Sequence, residues 1–313
     1  MTPLQGKIAI VAGSSRGAGR GIALALGDAG ATVYVAARTS RDGPKPADGA
    51  PGTVEDTAEE VCARGGQGIS VRADLGNEEE AAALFRRVEE EQGRLDLMVD
   101  SAWGANAMAE WSKPAWELSA GIWRDTVDTI NAAWLTSVLA ARIMAKQKGG
   151  LIVHVTDNLH PDTSAYRGQV LWDLGHEFLN RLVMGMSREL KKSQVTVVGL
   201  NPGFMQTERV LMHMKTDAIK KQFRFDLSES VEYIGRAAAA LAGDPNVVRK
   251  TGQLLWVAEL AQEYGFTDVD GRVIPLFDPK SPERGLEAPR RPGGLPHNRL
   301  RSTGRGGSSG PAG

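Results

Sequence analysis

Three glycines, Gly13, Gly17 and Gly19, stand between an apolar run at 7–12 (KIAIVA) and an amphipathic stretch at 17–30. The loop reads Ala12-Gly13-Ser14-Ser15-Arg16-Gly17-Ala18-Gly19. Glycines let a backbone turn tightly and approach a pyrophosphate closely. A helix opening at such a loop adds unpaired N–H groups and the positive end of its dipole. A place after the first strand and before the first helix is the context a dinucleotide site requires. Ser15, Arg16 and Ala18 belong to that site with the glycines. The end of the second strand bears on which dinucleotide it takes. NAD sites place an acid there to accept from the ribose 2′-hydroxyl. Here 32–37 (TVYVAA) runs into Arg38. Two guanidinium groups, Arg16 and Arg38, suit a 2′-phosphate, so NADP(H) is expected ahead of NAD(H), which stays open.

The elements that must position this loop alternate between strand-length apolar runs and helix-length amphipathic stretches. Strands are expected at 7–12, 32–37, 68–72, 95–99, 151–155, 195–200 and 254–257. Helices are expected at 17–30, from an N-cap at Thr53 to near Gly65, and at 78–92, 122–146 and 172–192. Near-continuous apolar strands of this kind suit a parallel sheet covered on both faces. The reading is an α/β protein: a single doubly wound Rossmann-type domain over 1–278, with about seven parallel strands flanked by helices. From 279 to 313 Pro, Gly, Ser and Arg dominate. That stretch buries too little apolar surface to offset chain entropy and reads as a disordered tail, with a basic docking arm as the alternative.

Composition narrows the partners. The 313 residues carry 42% hydrophobic and 24% charged residues and a net charge of −1. No nucleic-acid or membrane partner is expected from that balance, and no apolar run reaches the roughly 20 residues of a membrane helix. One cysteine, Cys62, allows no internal disulfide, and the start lacks the basic and apolar regions of a signal peptide. A cytoplasmic location is expected. His154, Asp157 and His160 could be read as metal ligands, but His154 lies in a strand and no fourth ligand is evident, so no metal is expected.

The glycine spacing, Gly-x-x-x-Gly-x-Gly, resembles that of the short-chain dehydrogenase/reductase (SDR) superfamily. Other segments agree in order: Asp74-Leu75 after the third strand, Asp100-Ser101-Ala102-Trp103-Gly104 where the family has Asn-Asn-Ala-Gly, Asn131 in INAAWL, and Pro202-Gly203-x-x-x-Thr207. The likeness spans roughly 4–275. It is strongest to the branch of dehydrogenase/reductase family member 1, through GRLDLMVDSAWG, GDPN and YGFTDVDGR. It implies cofactor contacts at Asp74, Leu75, Ser101, Ala102, Pro202, Gly203 and Thr207, with Asn131 in the active site. It also implies a homodimer or homotetramer built on 122–146 and 172–192.

At the catalytic positions the pattern breaks. The family carries a Ser, then Tyr-x-x-x-Lys. Counting back from Pro202-Gly203 puts Trp172 at the Tyr, His176 at the Lys and Asp157 at the Ser. An indole N–H only donates and is no acid near neutral pH. His176, one helical turn from Trp172, could bond the cofactor ribose or shuttle a proton, with Asp157 or Asp173 orienting it. Tyr166, with no lysine four residues on, is a second candidate proton donor. Trp103 and Trp172 suggest a pocket for a bulky apolar or aromatic small molecule. Three functions compete: an NADP(H)-dependent reductase of C=O, C=N or activated C=C with a non-standard site; a redox-neutral dehydratase, isomerase or cyclase using His176 and Asp157 or Asp173; and a non-catalytic dinucleotide-binding protein.

Overall fold

A computed structural model describes residues 3–43, 46, 48–104, 110, 113–157 and 169–275. Their seven strands, β1 (Ile8–Ala12), β2 (Thr32–Ala37), β3 (Gln67–Arg72), β4 (Leu97–Asp100), β5 (Gly150–Val155), β6 (Val195–Asn201) and β7 (Leu254–Trp256), form one parallel sheet in the order β3-β2-β1-β4-β5-β6-β7. Nine helices connect and flank them among the described residues: α1 (Gly17–Asp28), α2 (Val54–Ala63), α3 (Glu78–Gln92), α4 (Ala120–Gln147), α5 (Val170–Glu189), α6 (Glu208–His213), α7 (Asp217–Gln222), α8 (Val231–Gly243) and α9 (Val257–Tyr264). The Rossmann-type fold expected from the alternation is present. Residues 276–313, which hold the expected tail, lie outside the described residues.

Register explains why these strands are so apolar. Val35, Val11, Val99, Val153 and Val198 align as a row across five adjacent strands, all of them buried. β-Branched side chains pack well on a pleated surface, and helices cover both faces. One apolar cluster joins the sheet to α1 and α8, and a second joins the other face to α3 and α4. The next row holds Ala36, Ala12, Asp100, His154 and Gly199. His154 is fully buried there. Its Nε2 lies 2.9 Å from Ser137 Oγ, and its Nδ1 lies 3.4 Å from Asp100 Oδ2. A polar core contact thus accounts for this histidine, and no metal-ligand cluster occurs among the described residues.

Helix ends follow local chemistry. Thr53 Oγ1 accepts from Asp56 N at 3.1 Å, the N-cap expected from the sequence. Gln169 caps α5 by accepting from Trp172 N at 2.7 Å. Helix α1 is the exception, because its N-cap, Arg16, makes no side-chain cap and its first turn holds no acid. No helix among the described residues is long and apolar enough to cross a membrane. The strand order reverses between β1 and β4, and a ligand crevice opens beyond the carboxyl ends of strands at such a point.

Candidate active site at the strand switch point

The crevice is a cleft of about 1530 Å³ beyond β1, β4 and β5. Gly13 has φ +73° and Gly17 φ +58°, backbone states that side chains rarely adopt. A Cβ on Gly13 would lie 2.6 Å from Ser101 O, and one on Gly19 would lie 2.4 Å from Gly13 O. The turn therefore closes only with glycine at these positions. Ser15, Arg16, Ala18, Asp74, Leu75, Ser101 and Ala102 all border the cleft with it.

The amino end of α1 is met by an anion from far along the chain. Gly17 N donates to Glu208 Oε2 at 2.7 Å. Glu208 opens α6, just after Thr207, whose methyl group would touch a Cβ on Gly17 at 3.7 Å. The next residue, Arg209, pairs through its Nε with Asp48 Oδ2 at 2.8 Å. A helix terminus that draws in a carboxylate has the field to hold a phosphate. The donors and the close backbone thus fit a dinucleotide, provided that Glu208 turns aside. The sequence held no sign that Glu208 would reach α1 across 191 residues; only its proximity to Thr207 hinted at the site.

The two arginines behave differently. Arg16 Nε and Nη2 donate to the carbonyls of Pro51 and Gly52 at 3.1 and 3.0 Å. Burial holds its pKa below the ordinary arginine value, against the pull of Asp48 and Glu208. Arg38 is exposed on the cleft rim beside Gly104, with no carboxylate at ion-pair distance among the described residues.

Deeper in the cleft, three rings come together. The His176 imidazole stacks on Trp103 with centroids 4.2 Å apart at 30°, and lies 4.5 Å from the Trp172 ring at 35°. The two indoles meet edge to face at 5.0 Å. His176 Nδ1 is 2.9 Å from Trp172 O. A carbonyl only accepts, so Nδ1 carries a hydrogen and proton exchange falls to Nε2. Trp172 Nε1 donates to Asp157 Oδ2 at 3.2 Å. Trp103 reaches this cluster because α5 has Gly175 there, where a Cβ would lie 2.8 Å from the indole edge.

Other expected site residues are placed as follows. Pro202, Gly203 and Thr207 border the cleft. Asn131 is exposed, and its Nδ2 donates to Gly76 O at 2.7 Å, tying α4 to the loop after β3. The α4 wall of the cleft is made by Asp125, Asp128, Thr129 and Ala132 instead. Asp173 lies in the first turn of α5 and does not border the cleft. Tyr166 and His160 lie outside the described residues. A buried carboxyl that sequence reasoning missed, Glu229, borders the cleft beneath Gly203.

Comparisons with known proteins bear on the family and the fold. The short chain dehydrogenase family model matches residues 7–217. Dehydrogenase/reductase SDR family member 1 of Homo sapiens is 35% identical over 283 residues, covering 87% of this chain and 86% of that protein. The protein of the same name from Mus musculus is 36% identical over 285 residues, covering 88% and 87%. The crystal structure of a short chain dehydrogenase from Mycobacterium thermoresistibile shares the fold at a TM-score of 0.72 and 21% identity, covering 87% of this chain and 92% of that one. The chain belongs to the short-chain dehydrogenase/reductase family of oxidoreductases, most clearly to the branch of family member 1.

Proposed function

We propose that this protein is an NADP(H)-dependent oxidoreductase whose proton donor is His176, acting on a bulky apolar or aromatic small molecule with a C=O, C=N or activated C=C group. The observation that carries the reading is the histidine packed against two mutually touching indoles on the cleft wall, with Nδ1 committed to Trp172 O. The dinucleotide supplies hydride when bound. Gly13, Gly17, Ala18 and Gly19 would hold its pyrophosphate at the α1 terminus, and Arg38 would meet a 2′-phosphate. Asp74, Leu75, Ser101 and Ala102 border the adenosine end, and Pro202, Gly203 and Thr207 the carboxamide end.

The residues at the chemical end divide the remaining work. Asp157 fixes the Trp172 indole through its N–H, which sets one wall of the substrate pocket. The Trp103 and Trp172 faces exclude water and favour a flat or apolar substrate. In this reading His176 would give the proton on its Nε2 to the substrate atom that leaves the reaction carrying negative charge. Phe204, Met205, Met212, Ile219 and Phe223 supply the apolar surface beyond.

The protein is read as a cytoplasmic homodimer or homotetramer. Trp123, Val127 and Trp134 are exposed along α4, and Leu174 on α5. Such apolar groups on helices that the family uses for assembly support that reading.

The test is NADPH absorbance in the presence of carbonyl, imine and enone substrates with aromatic substituents. Consumption of NADPH in step with product is expected. Turnover of a substrate with no loss of NADPH would replace this reading by the redox-neutral one.

A further inference from the structure

Glu229 precedes α8 and is 1% exposed. Its backbone is paired to the loop that follows β6. Glu229 N donates to Phe204 O at 2.8 Å, and Gln206 N donates to Glu229 O at 2.8 Å. Its side chain turns back under the same loop, where Oε1 accepts from Gly203 N at 3.0 Å. A Cβ on Gly203 would lie 2.8 Å from Oε2, so the carboxyl presses directly on the Pro202-Gly203 turn.

No cation lies at ion-pair distance from this carboxyl among the described residues. Asp268, also buried, accepts from Ser230 N and Oγ and from Val269 N. Arg272 stands 3.7 Å from Asp268 and donates to the carbonyls of Asp226 and Ser228. Arg236 donates to the carbonyls of Thr267 and Asp268. The Tyr233 hydroxyl is buried without a partner among the described residues, and its pKa is pushed up to about 12 by burial and then by Glu229 and Asp268. A carboxyl buried without a counter-charge takes up a proton rather than stay ionised. Burial, opposed by the Gly203 N–H and aided by Asp268, raises Glu229 from 4.5 to about 8.

We infer that Glu229 is a positioning residue: as a neutral carboxylic acid it holds the 202–206 turn against the cleft, and its ionisation, which leaves a buried charge that the Gly203 N–H alone does not offset, drives the carboxylate toward water and so loosens that turn and the cofactor end resting on it. The second half rests on the reading above, in which Pro202 and Gly203 border the nicotinamide carboxamide. Glu229 touches neither the reacting atoms nor the substrate in this role. It acts through Gly203.

NADPH affinity from pH 7 to 9.5, followed by nicotinamide fluorescence, tests it against Glu229→Gln, an isostere of the neutral acid. Affinity of the unaltered protein should fall above about pH 8, by at most roughly ten-fold per pH unit for one proton lost. Glu229→Gln should stay flat over the same range. In parallel, hydrogen exchange of the 203–207 amides without cofactor, corrected for intrinsic rates, should quicken above that pH in the unaltered protein alone. An equal alkaline loss in Glu229→Gln, or a flat profile in the unaltered protein, overturns the inference. If neither protein binds NADPH at any pH, the cofactor reading falls, and the exchange data still decide the role of Glu229. If Glu229→Gln does not fold, the infrared carbonyl band of a protonated carboxyl in the unaltered chain decides. It should be present at pH 7 and fade as pH rises through about 8, and its absence at pH 7 overturns the inference.

Discussion

The two ends of the cleft are built under different rules. At the glycine loop the constraint is backbone: a Cβ on Gly19 would lie 2.4 Å from Gly13 O, and no side chain relieves that. At the ring cluster the constraint is only that side chains fill a wall and present the right groups. Trp103, Trp172 and His176 fill theirs by stacking, with Gly175 giving way to the indole edge. A backbone-built site tolerates few residue types and so keeps a readable spacing. A side-chain-built site can change its chemistry while the scaffold stays.

If that contrast holds, His176→Ala separates the two ends most sharply. Turnover should fall by roughly 10²–10⁴-fold, the usual share of a general acid, while NADPH affinity changes little. Steady-state rates with parallel binding titrations check this, and an equal loss in both would move His176 to the cofactor side. Gly19→Ala should do the opposite, weakening NADPH binding and also lowering stability by about 1–3 kcal/mol through overpacking. Denaturant unfolding with and without NADPH measures both, and a variant with unaltered binding would break the backbone argument.

Arg38→Ala is a smaller change at the same end. It should cost NADPH roughly ten-fold or more in affinity and leave NADH almost unaffected, as expected for loss of a charge-assisted pair with the 2′-phosphate. Parallel titrations decide, and equal losses for the two cofactors would count against NADP(H). Smallest is Glu208→Gln. Removing the carboxylate that now meets Gly17 N should tighten NADPH binding by a few-fold, because an entering pyrophosphate no longer displaces or faces that charge. Unchanged or weaker binding would show that Glu208 does not compete for the α1 terminus.

Stability should also carry the mark of Glu229. The folded chain keeps its proton up to about pH 8 and the unfolded chain releases it near 4.5. Between those values the folded state binds the extra proton, so stability falls as pH rises through that window. In Glu229→Gln this decline should be reduced.

Much of the architecture was legible before any coordinates. The seven strands fall where apolar runs predict, because a parallel strand buried on both faces can scarcely hide its composition. Thr53 was readable as a cap because capping is a local bond within three residues. Helices α6 to α9 were not individually readable; α6 and α7 are only six residues each, too short for a clear period. Asn131 was placed in the active site by the family pattern, while its side chain is bonded to Gly76 O on the outside of α4.

The sequence by itself determined the family, the fold and the glycine loop between β1 and α1, since each depends on local spacing and apolar period. Against the family pattern it also set the expectation of Trp172, His176 and Asp157 where Tyr, Lys and Ser usually stand. Tertiary structure alone decided which side chains meet at that end of the cleft. It stacked Trp103 on His176 across 73 positions, set Glu208 on the terminus of α1, and buried Glu229 beneath Gly203 with no cation beside it among the described residues. Those contacts join residues far apart in the chain, and their energies come from burial and charge at close range, which no local pattern encodes.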